Sequence, residues 1–197
     1  MSGVPESEVP ERAFPESGSR ELADLAATRR LGAELGAVLG AGDVVVLSGP
    51  LGAGKTSLTQ GLAEALGVRG RVTSPTFQLA RRHAPNSPGG PGLVHVDAYR
   101  LRGEDLPAHD GGAADSAPAT ANADPHALAD ELESLDLDAF LDTDVVVVEW
   151  GEGLAEVLAE SPWLVRLSRD DIADTRTARW ERLVRRADGY QQRGPGE

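Results

Sequence analysis

The stretch Val44–Ser57, VVVLSGPLGAGKTS, limits what this chain can fold into more than any other part of it. Val44, Val45, Val46 and Leu47 make a β-branched run with the length of a buried strand, and the run empties into glycines and then a helical pattern. Within it Gly49, Gly54, Lys55 and Thr56 fit G-x-x-x-x-G-K-[ST], a pattern with a mechanical reason at each fixed position. Glycines let backbone N–H groups curl around a phosphate, and the following helix adds its unsatisfied N-terminal donors and positive dipole end. Lys55 then reaches β- and γ-phosphate oxygens, and the Thr56 hydroxyl becomes a ligand of a bridging Mg²⁺. The candidate nucleotide-binding set is Gly49, Leu51, Gly52, Ala53, Gly54, Lys55, Thr56 and Ser57. A plain glycine turn joining strand to helix is the competing reading. Against it, Lys55 is the only lysine in the chain, every other basic side chain being arginine. A compact charge on a flexible stem does something there that a planar guanidinium does not.

The chain of 197 residues is the size of one domain and long enough to bury a core. Thirty-two acidic against nineteen basic residues give a net charge of −13, so the surface as a whole repels nucleic acid and anionic membranes. Any RNA is therefore expected to be held by a partner. Without cysteine there is neither a disulfide framework nor a thiolate metal site. The N-terminus, MSGVPESEVPERAFPESGSR, has no apolar segment of a signal peptide, and no run approaches a membrane span. A cytoplasmic protein is expected.

The expected fold is α/β, a P-loop NTPase-like mixed, mainly parallel sheet flanked by helices in one domain over 19–190. Residues 1–18 read as a disordered tail and 191–197 as a C-terminal tail. From Ser19 as N-cap, with Glu21 in the first turn, a helical pattern runs through Leu22, Leu25, Leu31, Leu35, Val38 and Leu39 to the Gly40–Gly42 turn. After the glycine loop a second helix runs through Leu58, Leu62 and Leu66 and closes at Gly67. Phe77 and Leu79 alternate with polar residues as on a half-buried strand, and the loop 84–92 joins an antiparallel hairpin to the strand LVHVD at 93–97. From Gly103 to Val165 there is no lysine or arginine, and 103–127, rich in Ala, Gly, Asp and Pro, reads as a disordered insertion. Order resumes in an amphipathic stretch around Leu132–Leu141, followed by the strand Val145–Val148, a short helical segment to Glu160 and a strand at 163–168. The segment TRTARWERLVRRADGY fits strand or helix.

In parallel sheets ligands bind at the carboxyl ends of strands, and two carboxylates follow buried strands here, Asp97 and Glu149. Glu149 has the place of the acidic end of a Walker B strand that holds Mg²⁺, directly or through water. Asp97 is placed to orient an attacking water or to join the second metal shell. Either could instead cap a turn or pair with a neighbour such as Arg100. The hydroxyls of Thr73, Ser74 and Thr76 around Pro75 suit a switch-like loop facing a γ-phosphate, although the residues alone favour a self-satisfied turn. His95 alternates with buried positions and reads as a packed histidine. Trp150 belongs to the core or stacks near the nucleotide.

Exclusions narrow the chemistry. A guanine-reading N-K-x-D needs a second lysine, which the chain lacks. A dinucleotide fingerprint fails because Ser57 stands where a third glycine belongs. A small-molecule P-loop kinase closes an arginine-bearing lid over its phosphates, and the segment where a lid belongs carries no cation; it remains the runner-up, with Arg81, Arg82, Arg100 and the C-terminal arginines as candidate clamps.

Together the pieces TRRLG at 28–32, LSGPLGAGKTSLTQGL at 47–62, VTSPTFQL at 72–79, HVDAYRL at 95–101 and VVVVEWGE at 145–152 resemble one family, the TsaE (YjeE) ATPases of bacterial tRNA threonylcarbamoyladenosine biosynthesis. The resemblance implies Mg²⁺-dependent ATP binding and hydrolysis in partnership with TsaD and TsaB, which install the threonylcarbamoyl group on adenosine 37 of tRNAs reading codons that begin with adenine. It implies that Thr56 and Glu149 hold Mg²⁺ and that Lys55, Asp97 and Glu149 are catalytic. Ser74, Pro75 and Thr76 would form the nucleotide-sensing loop, with Thr28 against the adenine; Trp150, by its place at the strand end, is a further candidate for the nucleotide site. Pro50, Ala98 and Ser57 depart from common residues of the pattern, and none removes a phosphate or metal group. A nucleotide-switched binding protein with incidental hydrolysis fits the same residues.

Overall fold

The computed structural model describes residues 14–74, 80–98, 138–151, 159–170, 175–186 and 189–191. The insertion at 103–127, the stretch 132–137, the helical segment at 152–158 and the switch-loop residues Pro75 and Thr76 lie outside the described residues, as do Phe77, Leu79 and Arg100. The chain runs β1 (Ser17–Leu22), α1 (Leu25–Gly36), β2 (Val44–Ser48), α2 (Lys55–Leu66), β3 (Ala80–His83) and β4 (Gly92–Asp97). It continues with α3 (Asp138–Leu141), β5 (Asp144–Glu149), β6 (Trp163–Arg169), β7 (Arg176–Arg182), β8 (Val184–Arg186) and β9 (Gly189–Gln191).

Seven strands form one mixed sheet in the order β1-β7-β6-β2-β5-β4-β3, and β8 and β9 make a separate hairpin. Parallel pairing is confined to the centre, where β2 lies between β5 and β6 and β5 pairs with β4. These are the apolar runs: β2 and β5 are buried at every position, as strands covered on both faces must be. Antiparallel strands flank them, β3 on β4 and β7 on β6 with β1 outermost. The P-loop NTPase-like α/β fold is therefore present, and the hairpin expected around 84–92 is β3–β4. The C-terminal segment that fitted either helix or strand is strand in β7.

One core lies between the sheet and the helix pair, joining Leu31, Leu35, Leu58 and Leu62 to Val45, Leu47, Leu93, Val145 and Val147. The second covers the other face with Val44, Val46, Val94, Val96, Val146 and Val148, against which Phe140 and Leu141 of α3 pack. The alternation of the two sets along each strand is the period-two rule of a pleated sheet. Helices α1 and α2 touch backbone to backbone. A Cβ at Gly32 would overlap the Leu58 carbonyl oxygen, one at Gly61 would overlap that of Arg29, and one at Gly36 would come within 2.9 Å of the Leu62 oxygen.

The N-terminal expectation is corrected. Ser19 and Glu21 belong to β1, not to the first turn of a helix, and α1 is capped by Asp24, which accepts from the Ala27 N–H at 2.6 Å. The tail reading of 1–18 also yields at its end, because β1 starts at Ser17 and Phe14 packs against Trp163 and Trp180 with ring centroids 5.7 and 5.1 Å apart. Trp180 reaches back further, its indole N–H donating to the Pro15 carbonyl at 3.0 Å. Among the described residues no helix is long and apolar enough to cross a membrane.

Candidate functional site

Strand β2 ends at Ser48, and the chain crosses to α2 through a loop whose glycines adopt conformations closed to other residues. Gly49, Gly52 and Gly54 have φ of 136°, 79° and 107°. Successive N–H groups in such a turn form a concavity that attracts anions, and it lies at the amino end of a 12-residue helix. Gly54 is the N-cap of α2 and supplies no side chain to satisfy the first helical N–H groups. The loop has no room for bulk. A Cβ at Gly54 would lie 3.2 Å from the Thr28 methyl, and one at Gly52 3.3 Å from the Arg169 guanidinium.

Lys55 is the first residue of α2 and is only 5% exposed, not solvent-facing as a loop residue would be. Its ammonium donates to the carbonyls of Gly49 at 2.7 Å and Pro50 at 3.0 Å, and lies 3.7 Å from the centroid of the Trp150 ring. The indole face is an electrostatic partner for a cation. Trp150 holds this position with φ of 63°, the one non-glycine residue with positive φ among those described. Such a conformation costs on the order of 1–3 kcal/mol and persists where its surroundings impose it. Here the Trp150 N–H is held by the Leu47 carbonyl at 2.9 Å, and the next residue, Gly151, is buried so tightly that a Cβ would fall 2.8 Å from Val148.

The parallel register of β4 and β5 sets Asp97 opposite Glu149 at the same sheet edge. Glu149 is buried, and its Oε1 accepts from the Thr56 hydroxyl at 3.1 Å across 93 positions of sequence. The same oxygen is 2.9 Å from His95 Nε2. Among the described residues no guanidinium or ammonium is paired with this carboxylate. Asp97 is half-buried at the end of β4.

Lys55, Thr56, Glu149, Trp150 and the loop glycines thus come together, with Asp97 at the adjoining strand end. Thr28 is fully buried on α1, its hydroxyl donating to the Asp24 carbonyl at 3.2 Å and its methyl against Gly54. Leu51 is 82% exposed at the loop tip, while Ala53 is buried beneath it. Ser57 faces elsewhere: it lines a groove of about 460 Å³ on the outside of the α1–α2 pair with Leu25, Arg29 and Gln60. Ser74 is half-buried at the edge of the described chain.

Two residues escaped sequence reasoning as members of the site. His95 read as a packed histidine and is fully buried, yet it touches Glu149. The usable signal was alternation, which puts His95 on the face of Asp97, one strand from Glu149. Arg169 closes β6, a parallel neighbour of β2, and so ends at the edge that carries the loop. Among the described residues no three His, Cys, Asp or Glu side chains form a metal cage.

A family model described as "Threonylcarbamoyl adenosine biosynthesis protein TsaE" matches residues 22–178. A protein of Mycobacterium tuberculosis named "tRNA threonylcarbamoyladenosine biosynthesis protein TsaE" is 52% identical over 163 residues, which is 83% of this chain and 86% of that one. The protein of the same name from Streptomyces coelicolor is 50% identical over 74% of this chain and 83% of its own, and that of Treponema pallidum 34% identical over 75% and 87%. Among solved structures, one described as "Crystal structure of Bacillus subtilus YdiB" superposes with a TM-score of 0.56 at 23% identity, covering 85% of this chain and 86% of that one. At that identity the likeness concerns the fold.

Proposed function

Since the chain belongs to the TsaE family of tRNA threonylcarbamoyladenosine biosynthesis, we propose that it is an ATP-binding and ATP-hydrolysing component of that pathway. In this reading it supports transfer of the threonylcarbamoyl group to adenosine 37 of tRNAs reading codons that begin with adenine. It works in the cytoplasm with TsaD and TsaB and meets tRNA only through them.

The observation that carries the reading is the hydrogen bond from Thr56 to Glu149 beside Lys55. A hydroxyl at the foot of the glycine loop and a carboxylate at a distant strand end meet with hard oxygen donors and, among the described residues, no cation between them. Such a pair suits Mg²⁺, which keeps several waters and takes one or two protein oxygens plus substrate phosphates instead of an all-protein cage. Thr56 and Glu149 would hold the ion, which would supply positive charge to the phosphate oxygens.

The chain's own groups do the rest. The Thr56 O–H donates to Glu149 and keeps its oxygen lone pairs free for a cation. Loop N–H groups from Gly49 to Gly54 take the phosphates, and Lys55 exchanges the carbonyls of Gly49 and Pro50 for phosphate oxygens. Trp150 and Thr28 flank that exchange. Asp97 lies opposite Glu149 in register, which supports the reading that it would orient the attacking water. Ser74, Pro75 and Thr76 serve as the nucleotide-sensing loop.

Charge on the transferring phosphoryl group must be met by cations, and an arginine delivered by a partner is worth roughly 10³–10⁵ in rate. Arg169, beside Gly52, is this chain's own candidate for that charge. A surface of TsaD or TsaB is the other, and we expect turnover to be slow alone and changed by the pair. The test is steady-state ATP turnover by the full chain, alone and with purified TsaD and TsaB, with and without tRNA. Lys55→Ala should lower it by at least about 10²-fold, the loss typical of one preorganised charge at a reacting oxyanion. It should also fail to restore threonylcarbamoyladenosine to tRNA in cells depleted of the wild-type protein. Unchanged turnover in Lys55→Ala would overturn the reading. Fast turnover by the lone chain, indifferent to the pair, would overturn its partner dependence.

A further inference from the structure

We propose that His95 is a positioning residue for the nucleotide site, holding the Glu149 carboxylate through Oε1 so that the Thr56–Glu149 pair is set for a divalent cation; this rests on the reading of that pair as a Mg²⁺ site.

His95 is fully buried in β4, with its alternating neighbours Leu93 and Asp97 on the same strand face. The register puts it opposite Val147, so its ring meets the Glu149 side chain diagonally, two residues further along β5. Of its two nitrogens, Nε2 is 2.9 Å from Glu149 Oε1 and Nδ1 is buried with no hydrogen-bond partner. That asymmetry selects a tautomer. With the hydrogen on Nε2 the carboxylate receives a donor, and the orphan atom is a bare lone pair. With hydrogens on both nitrogens an N–H would be stranded in the core, which is rarer and more costly than an under-used acceptor.

Packing alone does not explain a histidine here. An apolar side chain of similar volume would fill the position beside Leu93 and Val147 with no buried orphan atom, so the ring's unmet nitrogen is tolerated for what the other nitrogen does. What it does is directional. Thr56 and His95 both point at Oε1, fixing the carboxylate plane with two neutral donors that leave its negative charge in place. A guanidinium at the same spot would orient the carboxylate equally well and would cancel the charge that a cation needs. Groups that orient a ligand without touching the ion commonly alter metal affinity by 10- to 100-fold when removed.

The side-chain geometry supplies its own control. The amide nitrogen of Gln reaches about as far as His Nε2, whereas that of Asn reaches only as far as Nδ1. Binding of a fluorescent ADP analogue to the full chain is titrated with Mg²⁺ for wild type, His95→Gln, His95→Asn and His95→Leu. Binding in EDTA and a thermal melt are recorded for each. The expected result is that His95→Leu and His95→Asn raise the Mg²⁺ concentration at half-effect by about tenfold or more. His95→Gln should stay close to wild type, and metal-free binding should stay level throughout. Should His95→Leu not fold, the Gln and Asn variants decide. Equal shifts in Gln and Asn would show a packing role and overturn the proposal, as would an unmoved midpoint in His95→Leu or His95→Asn. Wild-type binding that ignores Mg²⁺ would overturn the metal reading of Thr56 and Glu149, and the part of His95 with it.

Discussion

Strand β5 has a buried carboxylate at each end, Asp144 where it starts and Glu149 where it stops. Asp144 is fully buried and takes a two-pronged grip from Arg82, Nε at 2.7 Å and Nη2 at 3.1 Å, with the Thr143 hydroxyl at 3.2 Å. That hydrogen bond holds the Arg82 guanidinium above its already high ordinary pKa. Glu149 is almost as deep and, among the described residues, receives only a hydroxyl and an imidazole. One charge is neutralised inside the chain and the other is merely oriented. A buried carboxylate costs free energy unless something compensates it. At Asp144 the compensation is built in, so the group is structural. At Glu149 no such built-in partner is found among the described residues, which fits the cation site proposed for it.

The contrast breaks most visibly at Arg82. Arg82→Ala should strand the Asp144 carboxylate and cost about 3 kcal/mol of stability, the lower end for a broken buried pair because the guanidinium side is 44% exposed. For a chain of this size that lowers Tm by about 6–12 °C. An unchanged melt would mean that water reaches Asp144, and the two carboxylates would be alike after all.

Glu149→Gln should do the opposite. The amide oxygen can still accept from Thr56 and His95, so stability should move by less than about 1 kcal/mol. The Mg²⁺ requirement of nucleotide binding should rise by about tenfold or more, since a neutral amide is a poorer ligand for a hard cation. A large fall in Tm without a change in Mg²⁺ dependence would put Glu149 in the structural class with Asp144.

The smallest effect sharpens the picture at the Asp144 end. His83 follows Arg82 on β3, and burial pushes its ring below the ordinary histidine pKa, outweighing the raising effect of its bond to the Arg69 carbonyl, with the Arg81 guanidinium lowering it further. The unfolded chain therefore takes up this proton at a higher pH than the folded one. Stability contributed here is present above about pH 6.5 and is lost as the pH falls through the lowered value. Urea melts across that window should show the slope in wild type and a flatter one in His83→Gln; the same slope in both would assign it to other groups.

What the sequence revealed follows the same division. The central parallel strands were legible because burial on both faces demands uninterrupted Val and Leu, and the glycine loop because its backbone tolerates little else. Strand β1 was not. SGSREL has one buried residue and the look of a helix cap, and it is a strand only because β7, at the far end of the chain, offers it a ladder. Arg176–Arg182 was ambiguous for the same reason: a strand with one open face carries charges that a helix would carry too. His95 illustrates the remaining gap. Its burial was readable from alternation, but its bond to Glu149 needs the order of β4 and β5, which local pattern does not contain.

The backbone contact of α1 with α2 has a mechanical consequence. Gly32, Gly36 and Gly61 leave no cushion of side chains between the helices, so neither can roll or slide on the other without carbonyl collision. The pair is a stiff lever with the glycine loop at one end. Its other end is tied by hydrogen bonds from Asn86 N to the Gly67 carbonyl and from Arg69 N to the Ala84 carbonyl, and along its flank Gln60 holds the Val72 carbonyl at 2.9 Å. A load applied at Lys55 is not absorbed by repacking along the way. The expected consequence is a displacement at residues 67–72, the segment that leads to Ser74.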